Sequence, residues 1–165
     1  MKKICGIALL LLASNMQSMA GCQPKNELVG TWKLRSATSR SVAGTVDHAA
    51  FGPNPTGFLT FTQHGRMSFI AADANRRPLS VLDRVTAPVA ERAQAFATVV
   101  AYAGRYTISG LHVIYHVEVS TIQNWVGSDL TRSMQFRNHQ LILTTPITQK
   151  GGVRERIQLV FERVE

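Results

Sequence analysis

Apolar and polar positions alternate two by two through most of the chain, the pattern of strands with one face against a core. In "GTWKLRSAT" (30–38), Trp32 and Leu34 fall on one side, Lys33 and Arg35 on the other. "GFLTFTQHGRMSFIAA" (57–72) reads as a hairpin, because Gln63-His64-Gly65 suits a three-residue loop with Gly65 left-handed. That turn pairs Phe61 with Met67 and Leu59 with Phe69, on the face opposite Thr60, Thr62, Arg66 and Ser68. "DLTRSMQFRNHQLILTTP" (129–146) reads as a second hairpin, turning at Asn138-His139. It pairs Phe136 with Leu141 and Met134 with Leu143, so Leu130 and Arg132 share their face. Further strands are expected at 105–108, at 112–120 and at 156–164, where Ile157, Leu159, Phe161 and Arg163 point one way. "SRSVAGTVDHAAFGPNPTG" (39–57) is rich in turn formers and reads as a long loop. "TAPVAERAQAFATVVAYAG" (86–104) breaks the alternation: Thr86 can cap a helix, Pro88 fits its first turn and Gly104 ends it. Val89, Ala93, Phe96 and Val100 recur there at helical spacing, as a packing stripe would. About eight hairpin-linked strands and one helix predict a mainly β fold, a closed up-and-down antiparallel barrel.

The beginning of the chain follows other rules. Lys2 and Lys3 precede the apolar "ICGIALLLLA", and small residues follow, as in a signal peptide over residues 1–21. Two cleavage readings compete. Ser18-Met19-Ala20 resembles an ordinary signal-peptidase site before Gly21, whereas Met19-Ala20-Gly21-Cys22 resembles a bacterial lipobox with Cys22 lipidated. Cys5 lies in the segment removed, so Cys22 is left with no intrachain partner. A lone thiol is unusual in an oxidising compartment and an acylated one is not, which favours the lipoprotein reading. Gln23 in place of Asp then directs the expectation to the outer membrane; the alternative is a periplasmic or secreted protein. Residues 22–26 form a tether, and 27–165 form the barrel domain. No apolar run reaches the roughly 20 residues that span a bilayer as a helix. The formal charge of +8 falls to +6 without Lys2 and Lys3. The basic residues are scattered without aromatic interleaving, so no nucleic-acid partner is expected.

Several motifs, in order, resemble the bacterial and fungal lipocalin-like domain family. They are "LVGTWKLRSA", "GFLTFTQHGRMSF", "AYAGRYTISG", "HVIYHVEVS", "NWVGSDLTR", "LILTTP" and the closing "FERV", together covering about Glu27 to Val164. The sequence departs from the family at Gln123, where Pro is usual. The resemblance implies a calycin-type barrel without an agreed activity. It also implies that Trp32 of Gly30-Thr31-Trp32 closes one end of the barrel, with Arg163 of the last strand across it as a structural pair.

The strand at 112–120 decides the chemistry. If Glu118 stands opposite Leu130, then His116 faces Arg132, and both His116 and Glu118 point inward; a one-residue slip reverses this. A buried Arg is costly unless paired, and Glu118 is the expected partner. Three explanations of such a cluster stay open. It is a structural ion pair in a filled barrel of an envelope interaction protein, or a ligand cavity, or a catalytic site. In the cavity, Arg132 receives an acidic or carbonyl oxygen, His116 and Glu118 add polar contacts, and Trp125, Tyr106, Phe61 and Met67 supply the apolar wall. In the catalytic reading, His116 and Glu118 move a proton, as an isomerase or cyclase requires. His112, His116 and Glu118 form a row spaced about 6–7 Å apart, which fits a metal poorly. Neither metal nor cofactor is expected. Asp73, Arg76 and Arg77 read as a solvated loop or a lid, and His48 and His64 as turn residues. The expectation is an exported binder of a small, largely apolar or amphipathic molecule, with the membrane as a second partner through Cys22.

Overall fold

A computed structural model describes residues 27–43, 47–150 and 152–165. The signal segment, its cleavage and Cys22 lie outside them. The described residues form ten strands: β1 (Gly30–Ser41), β2 (Asp47–Ala49), β3 (Pro55–Phe61), β4 (Arg66–Asp73), β5 (Val99–Ser109), β6 (His112–Ser120), β7 (Asp129–Arg137), β8 (Gln140–Thr144), β9 (Thr148–Lys150) and β10 (Val153–Arg163). One helix, α1 (Val89–Ala97), lies between β4 and β5, and a 3₁₀ turn (Gln123–Trp125) between β6 and β7.

Neighbouring strands run antiparallel, and β1 pairs with β10 from Trp32↔Arg163 to Ser41↔Glu155. That last pairing closes an eight-stranded barrel of β1, β3 to β8 and β10, with β2 and β9 as short additions. Both expected hairpins form in the expected register, Phe61↔Met67 and Leu59↔Phe69 in one, Phe136↔Leu141 and Met134↔Leu143 in the other. The second turns through Asn138 (φ 50°) and His139 (φ 63°), both left-handed, as a two-residue loop requires. Tight turns gather at one end; the long connections after β1, β4, β6 and β8 gather at the other. The side chains of Leu34, Leu59, Phe61, Met67, Phe69, Leu141, Leu143 and Phe161 fill the inside.

Two expectations are corrected. The helix ends at Ala97, where Thr98 donates its hydroxyl to the Gln94 carbonyl (2.8 Å). From Val99 the chain is strand, so Val100 to Gly104 belong to β5, and Tyr102 and Tyr106 point into the barrel. The β-branched pair Val99-Val100 and the apolar-inward alternation that follows outweigh helical spacing. Nor is the stripe packed: no residue of α1 is buried, and Val89 and Phe96 face solvent.

The second correction is the register of β6 on β7. His116 stands opposite Asp129, Tyr115 opposite Leu130 and Val113 opposite Arg132. This is three residues away from the expected pairing, an odd shift that exchanges the faces. The ladder ends at Gly127, whose N–H donates to the Val117 carbonyl (2.9 Å) while the Val117 N–H donates to the Ser128 carbonyl (3.1 Å). Two residues oppose one, a bulge that needs a left-handed residue, and Gly127 has φ 79°. A second irregularity lets Ala103 face Val119 and Gly104 face Val117, leaving the Glu118 backbone without an opposite residue in the β5 ladder. A Cβ on Gly104 would collide with the His116 carbonyl, so only glycine permits this approach.

Candidate functional site

The register carries Val113, Tyr115 and Val117 inward and His116 and Glu118 outward. Arg132 shares the inward face, because it stands opposite Val113. Among the described residues, the polar groups facing the barrel interior include Arg132 with two tyrosines, Tyr102 from β5 and Tyr115 from β6, and separately the buried Glu155 of β10, which accepts from the Ser39 hydroxyl of β1 (2.6 Å). The Arg132 guanidinium lies 5.9 Å from the centre of the Tyr115 ring. One of its terminal nitrogens donates to the neighbouring Thr131 carbonyl (2.8 Å). Its Nε is buried without a hydrogen-bond partner, and so is the Tyr115 hydroxyl.

Aromatic rings surround these groups. Tyr102 stacks at a tilt on Phe69 (5.0 Å) and approaches Tyr115 (5.9 Å). Trp125, on the 3₁₀ turn at the open end, meets Tyr102 edge to face at 5.8 Å. Phe61 meets Tyr106 edge to face at 4.9 Å and approaches Tyr115 at 6.0 Å. The Tyr106 hydroxyl is satisfied, donating to the Thr62 carbonyl (2.9 Å). Met67 is buried in the same core. Burial raises the Tyr115 pKa well above the ordinary phenol value, and Tyr102 adds to the shift while the Arg132 charge opposes it. Burial also raises Tyr102, again against Arg132. Both phenols thus stay protonated and can donate. A depression of about 360 Å³ lies on the outer wall, where Ser68, Ala101, Ala103, Val119 and Thr121 line it.

Glu118 does not pair with Arg132. It accepts from Arg66 (2.7 and 3.0 Å) and Arg105 (3.1 Å) on the outer face, and the Arg66 hydrogen bonds lead in lowering its pKa. His116 donates from Nδ1 to Asp129 Oδ1 (2.7 Å), and the Thr107 hydroxyl lies 3.0 Å from its Nε2. The expected cluster is thus split by the barrel wall: Arg132, Trp125, Tyr106, Phe61 and Met67 on the inside or at its mouth, His116 and Glu118 outside. Tyr102 and Tyr115 were missing from the expected set. Tyr102 lay in the stretch read as helix, and Tyr115 was assigned to the opposite face. The signal for Tyr115 was its own alternation with Val113 and Val117, a purely apolar face.

At the other end, the Arg163 guanidinium lies 4.3 Å over the Trp32 ring. It donates to the carbonyls of Val29 (2.6 Å) and Glu27, while Trp32 Nε1 donates to the Leu28 carbonyl (2.8 Å). These contacts tie the entering chain across the barrel floor.

A closed eight-stranded antiparallel barrel, floored by a Trp–Arg pair and open at its long loops, is a lipocalin-type architecture, which in general suits ligand binding. The chain belongs to the lipocalin-like domain family, whose model matches residues 29–164. Among solved structures, the chain is similar to an uncharacterized protein from Bacteroides eggerthii DSM 20697. Identity is 15%, 82% of this chain and 98% of that one are covered, and the TM-score is 0.38. No curated protein matches the chain.

Proposed function

We propose that the protein binds a small, largely apolar molecule inside the barrel, with an acidic or carbonyl oxygen of the ligand held by Arg132 and Tyr115. The observation that carries this reading is the pair of buried donors, Arg132 Nε and Tyr115 Oη, that no other group satisfies. Leaving each unpaired costs about 1–3 kcal/mol, more for the charged one. A ligand oxygen between them removes that cost, and the Tyr102, Phe69 and Trp125 rings suit an apolar body. The proton-transfer alternative required His116 and Glu118 within the cavity, and the outward facing of both gives it no support. The signal-like residues 1–21 support export, and Cys22 after Met19-Ala20-Gly21 supports a lipid anchor in the outer membrane.

The test is titration with a fluorescent anionic amphiphile such as a dansylated fatty acid. Arg132→Ala is expected to weaken binding by roughly tenfold or more, the size of one charged hydrogen bond. His116→Gln is expected to leave affinity unchanged. Equal affinity of Arg132→Ala and the parent protein would overturn the assignment.

A further inference from the structure

The segment over the open end carries an apolar face that nothing in the barrel covers. On α1, Val89, Ala93 and Phe96 fall along one side, at the spacing that ordinarily packs a helix against a core. Here Val89 is 71% and Phe96 58% exposed. The preceding turn adds two more exposed apolar side chains, Val85 at 67% and Leu82 fully exposed. Single exposed apolar side chains need no explanation, but four large ones within fifteen residues do.

The charges of this segment are arranged with the same asymmetry. Arg84 and Arg92 are exposed, and Arg92 lies one helical step from the apolar stripe. Arg76 spends its donors on neutral oxygens, the Thr98 hydroxyl (3.1 Å) and the Ala95 carbonyl (3.0 Å), so its charge is not cancelled. The acids of the segment already have partners. Glu91 lies on the opposite side of α1 and accepts from the backbone and hydroxyl of Ser80 (2.9 and 3.0 Å). Asp83 accepts from the Val85 N–H (2.9 Å) and the Thr86 hydroxyl (3.1 Å) within its own turn.

We propose that the open end of the barrel docks on an anionic bilayer surface through Leu82, Val85, Val89 and Phe96, with Arg84 and Arg92 at the lipid headgroups. Apolar side chains on one face and arginines beside them are what lets a helix lie in a membrane interface. A second copy of this chain would bring a like positive charge to the same arginines. Docking does not depend on the binder reading, but together they give that site a route: a ligand with an acidic head would pass between the bilayer and Arg132 without crossing water.

The experiment is hydrogen exchange of the full chain with phosphatidylglycerol–phosphatidylethanolamine vesicles and, separately, phosphatidylcholine vesicles. Exchange across residues 81–97 is expected to slow on the anionic vesicles and to recover as salt is raised. The double variant Val89→Asp/Phe96→Asp is expected to lose this protection and to weaken vesicle binding by at least about tenfold. Its melting temperature should match the parent's, since both side chains are exposed. Protection confined to residues 1–26, equal protection on phosphatidylcholine, or slowing that depends on protein concentration without vesicles would each overturn the proposal. Arg132→Ala should dock normally, so loss of ligand binding and loss of docking are read separately.

Discussion

Arg132 and Glu118 lie on opposite sides of one barrel wall, although pairing them is the simplest way to neutralise a buried guanidinium. Glu118 is instead held outside by Arg66 and Arg105. The groups packed beside the Arg132 guanidinium are phenols, and this has a consequence for pH. Because burial raises the Tyr115 pKa, the folded state holds that proton more tightly than the unfolded chain does. Its contribution to stability is complete below the unfolded phenol value of about 10 and is lost as pH rises through and beyond it. Tyr115→Phe should therefore lose less stability than the parent between neutral and strongly alkaline pH in urea titrations. An identical alkaline loss would count against the buried phenol. Trp32 has a different role. Its ring is buried beneath Arg163 and its indole N–H is satisfied by Leu28. Trp32→Ala should cost about 3–5 kcal/mol in equilibrium unfolding, with ligand affinity falling only through the loss of fold. An unchanged melting temperature would show that the floor of the barrel is not structural.

At the scale of elements, hairpins were legible wherever the turn residues specified their own geometry. Gln63-His64-Gly65 and Asn138-His139 each fix a loop length, and loop length fixes which side chains face each other. His139 nonetheless holds a left-handed backbone at φ 63°, which a residue with a Cβ adopts at a cost. His139→Gly should stabilise the protein by roughly 0.5–1 kcal/mol, read from the denaturant midpoint. A loss of stability would show that the imidazole contributes more than the turn strain removes. The β6–β7 connection was not legible in the same way. Its register lies three residues from the expected one, with an extra residue accommodated at Gly127, and any odd shift exchanges the faces of a whole strand. The boundary between α1 and β5 failed for a related reason: Val99 to Gly104 satisfy helical spacing as well as alternation, and only the neighbouring strands favour one of the two.

At the scale of the whole molecule, closure of β1 on β10 removes the sheet edges and leaves one open end, ringed by the long connections and overhung by a helix without a core contact. If the interior takes a ligand, mass action makes the entire barrel more stable: an anionic amphiphile at about a hundred times its Kd should add about 2.7 kcal/mol. The melting temperature should rise equally for His116→Gln and by about half as much or less for Arg132→Ala, whose Kd is about tenfold or more higher; an equal rise in both would place the ligand away from Arg132. The sequence by itself determined the barrel class, both tight hairpins and the inward position of Arg132, since each follows from alternation or turn chemistry that acts over a few residues, while the Trp32–Arg163 pair was implied by the family resemblance. Only the tertiary structure decided which face of β6 lines the interior and that the stripe on α1 faces away from the core. Those outcomes depend on a bulge and on competition among strands for the same residues, and neither leaves a periodic trace along the chain.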